Sequence, residues 1–261
     1  VANVAAPLAD TAFLAGVHNF GDAWLGAAAY TIQIYFDFSA YSDMAIGLAA
    51  MAGFRFEENF RRPYSASSIR DFWRRWHISL SSWLRDYLYI PLGGSRKGEG
   101  RTLLNLLIVF FLCGLWHGAE FTFIIWGLWH GLFLMLERLW LGRRLAALPV
   151  LCGRVYTMLV VMVGWVFFRA ADLDEAWNYL AIMFNHSAGN GVPLAAYRLA
   201  LIGLAAGIVI CLWPDRLLPW PDSRSPENFS GSAMLVQGLL FFPSLTVLVS
   251  GLRNPFIYFN F

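Results

Sequence analysis

The side chains in this sequence with the most chemical potential are its imidazoles and one run of guanidinium groups. There are five histidines, His18, His77, His117, His130 and His186. His117 closes the apolar run TLLNLLIVFFLCGLWHG, and His77 lies in the basic, aromatic stretch DFWRRWHISLSSWLRD. An imidazole can take and return a proton near neutral pH, and burial favours its neutral, basic form. That is what a general base acting on a hydroxyl or thioester system needs. A structural reading stands beside this one, in which His117 is hydrogen-bonded across helices and His77 meets a lipid headgroup. His130, thirteen positions after His117, is expected to make an interhelical hydrogen bond. Gly114 and Gly118 leave room beside His117 for a substrate, or for another helix. Cys113, one helical turn before His117, fits either a nucleophile or ordinary apolar packing.

The guanidinium groups are strongly localised. Ten of the nineteen basic residues fall between positions 55 and 101. Within that window Arg70, Arg74, Arg75 and Arg85 offer forks suited to the phosphate oxygens of a phosphorylated donor. Lipid phosphate and the cytoplasmic bias of basic residues explain the same cluster. The glycines of IPLGGSRKG give a weak phosphate-loop signal, and there is no P-loop and no GxGxxG. No metal site is expected, because the histidines have neither HxxxH spacing nor a paired Cys/His ligand set.

These groups need a membrane to hold them. Of the 261 residues 58% are hydrophobic, 17% aromatic and 14% charged, which is outside the range of soluble domains. The net charge of +2 is small, so its concentration in one window is first a topology signal. Three cysteines, Cys113, Cys152 and Cys211, sit singly in apolar runs and do not identify a redox compartment.

In order along the chain, residues 1–23 read as a loop or interfacial lead-in. Residues 24–54 form a long apolar segment interrupted by DFSAYSD. Asp37 and Asp43 point either to a broken helix whose acids meet arginines or line a cavity, or to a tilted helix with its acids near one interface. Ser67 or Ser68 is placed to cap an amphipathic interfacial helix over 69–89. Residues 102–116 and 121–136 form a hairpin with basic, cytoplasmic ends and its turn near His117. Sixteen residues rise only about 24 Å against a hydrocarbon core of about 30 Å. The turn, with His117, is therefore expected within the membrane. A further span covers 155–168, and a capped amphipathic helix follows over ADLDEAWNYLAIMF. Two more spans, 199–213 and 233–252, flank a Pro-rich loop and precede the aromatic tail NPFIYFNF. The total is about six spanning or near-spanning segments, an all-α polytopic membrane bundle with short re-entrant or interfacial helices.

The segments DFWRRWHISLSSWLRDYLYIPLGG and LCGLWHGAEFTFIIWGLWHG strongly resemble the membrane-bound O-acyltransferase family. Within it, the resemblance is to the bacterial branch of alginate O-acetyltransferase membrane subunits and their relatives in cellulose and peptidoglycan acetylation. QIYFDFSAYSDMAIGLAAMAGF, GWVFFRA and PFIYFNF support it, so the likeness runs from about residue 28 to the end. The resemblance implies a multi-helix enzyme of the bacterial inner membrane with a tunnel through the bilayer. Its catalytic histidine, in the WHG motif, matches His117, and the histidine of its RWHxSLS motif matches His77. The implied donor is a cytoplasmic acyl thioester, acetyl-CoA, bound at the arginine-rich face. The implied acceptor is an exported polysaccharide or a periplasmic acetyltransferase that relays the group, with membrane lipid and no nucleic acid as further surroundings. Family members carry additional N-terminal helices, so residues 1–261 are expected to be the C-terminal portion of a single transmembrane domain. Two alternatives stand: D-alanyl transfer from a carrier protein to teichoic acid, and a noncatalytic transporter or scaffold.

Overall fold

The computed structural model describes residues 1–14, 19–185, 197–212 and 238. It divides into two compact units. The first is Val1–Cys211, and in the second, Leu212–Phe261, the described residues are Leu212 and Gly238. Among the described residues every regular element is helical, as expected for an all-α membrane bundle. The expected span over 233–252, the Pro-rich loop, the aromatic tail, His18 and His186 lie outside the described residues.

The expected lead-in loop is instead a helix, α1 (Ala2–Leu14), followed by α2 from Phe20 to Met51. Small residues on α1, among them Ala5, Ala9 and Ala12, are buried at helical spacing and let it lie closely along α2. Asn19 caps α2, its Oδ1 accepting from the Asp22 N–H at 2.9 Å. Of the two alternatives for DFSAYSD the broken helix does not occur, and α2 runs through all 32 residues without interruption. No Pro or Gly lies between positions 27 and 46 to open the backbone ladder. Asp37 is buried and Asp43 exposed on this continuous rod.

The single helix expected over 69–89 is broken in two. Ser68 caps α3 (Ile69–Trp73), its side chain accepting from Asp71 N–H at 3.0 Å, and α4 (Ile78–Leu84) follows after His77 takes a left-handed φ of 44°. The break is imposed from outside the segment. Arg61 N–H donates to Arg75 O and Ile78 N–H to Asn59 O, each at 2.9 Å, so the segment between α2 and α3 takes up the backbone groups between the helices. One wide turn, Arg85–Tyr89, continues α4.

Helices α5 (Glu99–His117) and α6 (Phe121–Leu136) form the expected hairpin. Both extend past their apolar runs. Helix α5 has 19 residues, and α6 passes through a wide turn, Glu137–Leu141, into α7 (Gly142–Ala147), making 27 residues without a stop. At 1.5 Å per residue these are about 28 and about 40 Å long. The shortness that placed the turn inside the membrane is therefore absent. With α8 (Val150–Arg169) they are the three helices, among the described residues, that are long and apolar enough to cross a membrane. Helix α10 (Arg198–Leu212) is apolar but shorter, and α2 is long but carries Asp22, Asp37 and Asp43.

Helix α9 (Leu173–Phe184) has the capped, amphipathic form expected. Asp172 accepts from Glu175 N–H at 2.8 Å, and Glu175 accepts from Ala171 N–H at 2.6 Å. Its buried face, Ala176, Tyr179, Leu180 and Met183, packs toward α2, where the Tyr179 hydroxyl donates to Ala23 O at 2.8 Å.

One buried carboxylate ties the hairpin to α3. Glu137, 5% exposed, accepts from Ile69 N–H at 2.5 Å and Arg70 N–H at 3.0 Å, satisfying two donors that the first turn of α3 cannot pair for itself. Glu137→Ala leaves the buried Ile69 N–H and the part-buried Arg70 N–H unpaired, at a cost of about 2 kcal/mol. Thermal unfolding in detergent should show the loss, with Glu137→Gln closer to the unaltered protein.

Candidate active site

His117 is the last residue of α5, where the helix stops at Gly118. The turn presents its half-buried ring to a cage of aromatic edges. Its ring centroid is 4.8 Å from Trp116, 5.0 Å from Trp126 of α6 and 5.2 Å from Phe168 of α8, each nearly perpendicular to it. Among the described residues no side chain hydrogen-bonds the imidazole. The interhelical hydrogen bond of the structural reading is thus not what holds this ring.

His77 reaches the same place from the other side. It sits at the α3–α4 break, half-buried, 4.8 Å from Phe38 of α2 and 6.2 Å from Trp116, the residue that flanks His117. The two imidazoles flank the same Trp116 ring, at 6.2 and 4.8 Å from it. His77 is not a free headgroup contact, since its Nδ1 lies 3.3 Å from both Asn59 Oδ1 and Ser79 Oγ. Burial pushes its imidazole down to about 4, so the ring is neutral at physiological pH.

His130 departs from expectation. It is 0% exposed, and neither ring nitrogen has a hydrogen-bond partner among the described residues. The groups facing it are aromatic: Phe72 is stacked at 6.1 Å, with Trp73 at 5.2 Å and Trp126 at 5.4 Å. Gly164 lets the ring close against the α8 backbone. Its enclosure separates it from the accessible His117.

The glycines beside His117 divide their roles. A Cβ on Gly114 would meet the α6 backbone at Phe123 and Ile124, so this residue serves close helix approach rather than a substrate. A Cβ on Gly118 would meet the Phe123 ring. Cys113 is buried on the hairpin with its thiol free.

The four candidate arginines also divide. Arg75 Nε bonds Asp71 Oδ1 at 2.9 Å, and its Nη1 reaches Ser65 Oγ at 3.3 Å. Arg85 is held by Asp86 through two bonds of 2.7 and 2.9 Å, which raise the guanidinium and lower the carboxyl from their ordinary values. Arg70 and Arg74 are exposed, with no carboxylate partner among the described residues. The IPLGGSRKG loop is not an anion cradle. The N–H groups of Gly93, Gly94 and Arg96 bond to Ile90, Tyr89 and Gly93 carbonyls, and Asn105 Nδ2 holds the loop through Gly94 O at 2.9 Å.

Trp126 and Phe168, which wall the His117 ring, lie in stretches quoted above for their family likeness but were not separable there from ordinary apolar packing. Asn59 carried no signal at all.

Comparison with known proteins follows the same residues. The chain matches the membrane-bound O-acyltransferase family over residues 17–171. It is 52% identical to a probable alginate O-acetylase of Azotobacter vinelandii, an alignment covering 100% of this chain and 59% of that protein. It is 43% identical to a peptidoglycan O-acetyltransferase of Helicobacter pylori over 67% of this chain and 33% of that one. With a teichoic acid D-alanyltransferase of Bacillus subtilis it shares 33% identity over 34% of its length and 24% of that protein's. The chain therefore spans a little over half the length of the first relative and less of the others. The matched residues include the α3–α4 break with His77 and the hairpin with His117, and by this match the chain belongs to the membrane-bound O-acyltransferase family.

Proposed function

We propose that this chain carries the catalytic part of an O-acetyltransferase that moves acetyl from acetyl-CoA, at the basic face of residues 55–101, to a hydroxyl of an exported polysaccharide, directly or through a periplasmic relay protein. The setting is the inner membrane of a bacterium. The observation that supports this best is the pairing of His77 and His117 around Trp116, with the His117 ring accessible and hydrogen-bonded to no side chain among the described residues. In the proposed step His117 takes the acceptor hydroxyl's proton as its oxygen attacks the thioester carbonyl. The C–S bond then breaks, and the leaving thiolate takes up that proton. His77 orients the donor or shares the proton. The acetyl reading is preferred to D-alanyl transfer because the likeness to the alginate O-acetylase covers the whole chain, while that to the D-alanyltransferase covers about a third of it.

Of the arginines, Arg70 and Arg74 are proposed to hold the donor's phosphates, since Arg75 and Arg85 are engaged by carboxylates. Membrane vesicles bearing the protein, given labelled acetyl-CoA and polymer, should accumulate alkali-labile acetate. Replacing Arg70 and Arg74 together with alanine should raise KM for acetyl-CoA about tenfold or more, the weight of a lost charge-assisted hydrogen bond. Arg85→Ala should change it less than about twofold. An unchanged KM in the Arg70/Arg74 variant would remove the donor from this face. Transfer from a D-alanyl carrier protein, and not from acetyl-CoA, would put the runner-up first. No transfer from either donor would favour a scaffold or transporter.

A further inference from the structure

We propose that Asn59 is the positioning residue of the site, locking His77 in the tautomer that carries its proton on Nδ1 and leaves Nε2 as a lone pair. This rests on the reading of His77 as part of the transfer machinery. Asn59 lies in the segment between α2 and α3 and uses every polar atom available to it beyond its own N–H. Its main-chain carbonyl accepts from Ile78 N–H at 2.9 Å. Its Oδ1 accepts from Ser79 N–H at 3.1 Å and from Ser79 Oγ at 2.9 Å, and its Nδ2 donates to Ser42 Oγ of α2 at 3.2 Å.

The tautomer follows from donor and acceptor roles. A backbone N–H can only donate, so the bond from Ser79 N–H fixes which end of the Asn59 amide is the oxygen. That oxygen can only accept, and it lies 3.3 Å from His77 Nδ1. The Ser79 hydroxyl, whose own proton goes to the same oxygen, presents its lone pairs to Nδ1 at 3.3 Å. Both neighbours of Nδ1 are therefore acceptors, and Nδ1 must hold the hydrogen. The left-handed backbone at His77 is sustained by the same residue through Ile78 and Ser79, so Asn59 fixes both where the ring is and which nitrogen is basic.

The surroundings make this testable by pH. Phe38 of α2, Ser79 of α4, Asn59, and Trp116 and His117 of α5 face the His77 ring, and of these His117 is the titratable one. Nearby charges are engaged elsewhere, with Glu58 beside Arg61 at 3.6 Å and Asp71 beside Arg75 at 2.9 Å. Asn59→Asp keeps the accepting oxygen but sets a carboxylate against Nδ1–H. The introduced charge favours the imidazolium, so His77 protonates at higher pH. In vesicles bearing the intact protein, the acid limb of kcat/KM for acetyl transfer should then move up by about one pH unit or more. Asn59→Ala frees the ring to change tautomer and should lower kcat about tenfold or more with little change in KM.

Protein abundance is measured in every sample. If unaltered protein transfers acetyl and His77→Ala does not, a superimposable pH profile for Asn59→Asp overturns the inference while the functional reading stands. A loss in Asn59→Ala that merely tracks lost protein overturns it as well. If His77→Ala transfers acetyl normally, the role of His77 and this inference fall together.

Discussion

His117→Ala is expected to lower acyl transfer by at least about 100-fold while leaving the amount of folded protein in the membrane near normal. The first half rests on the size of general-base catalysis, typically about 10²- to 10⁴-fold when a positioned group takes the proton. The second rests on how the ring is held. Its contacts are aromatic edges at 4.8 to 5.2 Å, with no hydrogen bond from a side chain among the described residues, so truncation strands no buried polar partner. His117 is also the final residue of α5, where shortening a side chain interrupts no helix interior. His117→Gln should be as inactive, because an amide keeps the polarity and much of the volume but cannot take up the proton. Polymer-linked acetate, normalised to membrane protein, is the measurement. Transfer in either variant within a few-fold of the unaltered protein would make this histidine structural and put the transporter or scaffold reading first.

The contrast between His117 and His130 shows where the sequence is informative and where it stops. The two lie in the same pentapeptide, GLWHG, and neither composition nor periodicity separates them. What separates them is that α5 ends at one and α6 continues through the other, leaving His130 enclosed by Phe72, Trp73 and Trp126. The hairpin itself was legible because HGAE divides two apolar runs, and α9 because an Asp and a Glu three residues apart form a local cap. The break between α3 and α4 was not. Trp73, Trp76, Leu80 and Leu84 keep helical spacing straight across it, and the bonds that impose it come from Asn59 and Arg61, outside the segment. Helix α1 was missed for a different reason. Its buried face is mostly alanine, which carries little hydrophobic signal but allows close approach to α2, with Leu8 and Phe13 the two large residues on it.

Small residues also set the second large effect, at the hairpin that carries His117. Gly127→Val is expected to remove most folded protein from the membrane, a cost of about 3 kcal/mol or more at the upper end of what overpacking does. A Cβ at Gly127 would drive into the Phe110 carbonyl and come within 3.1 Å of the Gly114 backbone, while one at Gly114 would drive into the Phe123 carbonyl. The two glycines thus face each other across a contact between helix backbones, and no rotamer can relieve a clash with a main-chain atom. The consequence reaches the site through the adjacent residue, because Trp126 supplies the wall 5.0 Å from His117. Helices pushed apart would lose that wall even where some protein survives. Gly47→Val is the control. It places the same β-branched side chain near the C-terminal end of α2, where nothing lies within 4 Å, and should leave abundance and transfer close to normal. Abundance by quantitative blot and unfolding in detergent distinguish the outcomes. Gly127→Val protein with normal abundance and normal unfolding would mean that the helices do not meet backbone to backbone. Loss confined to Gly127→Val would place the two glycines, rather than any hydrogen bond, as what fixes the distance between His117 and Trp126.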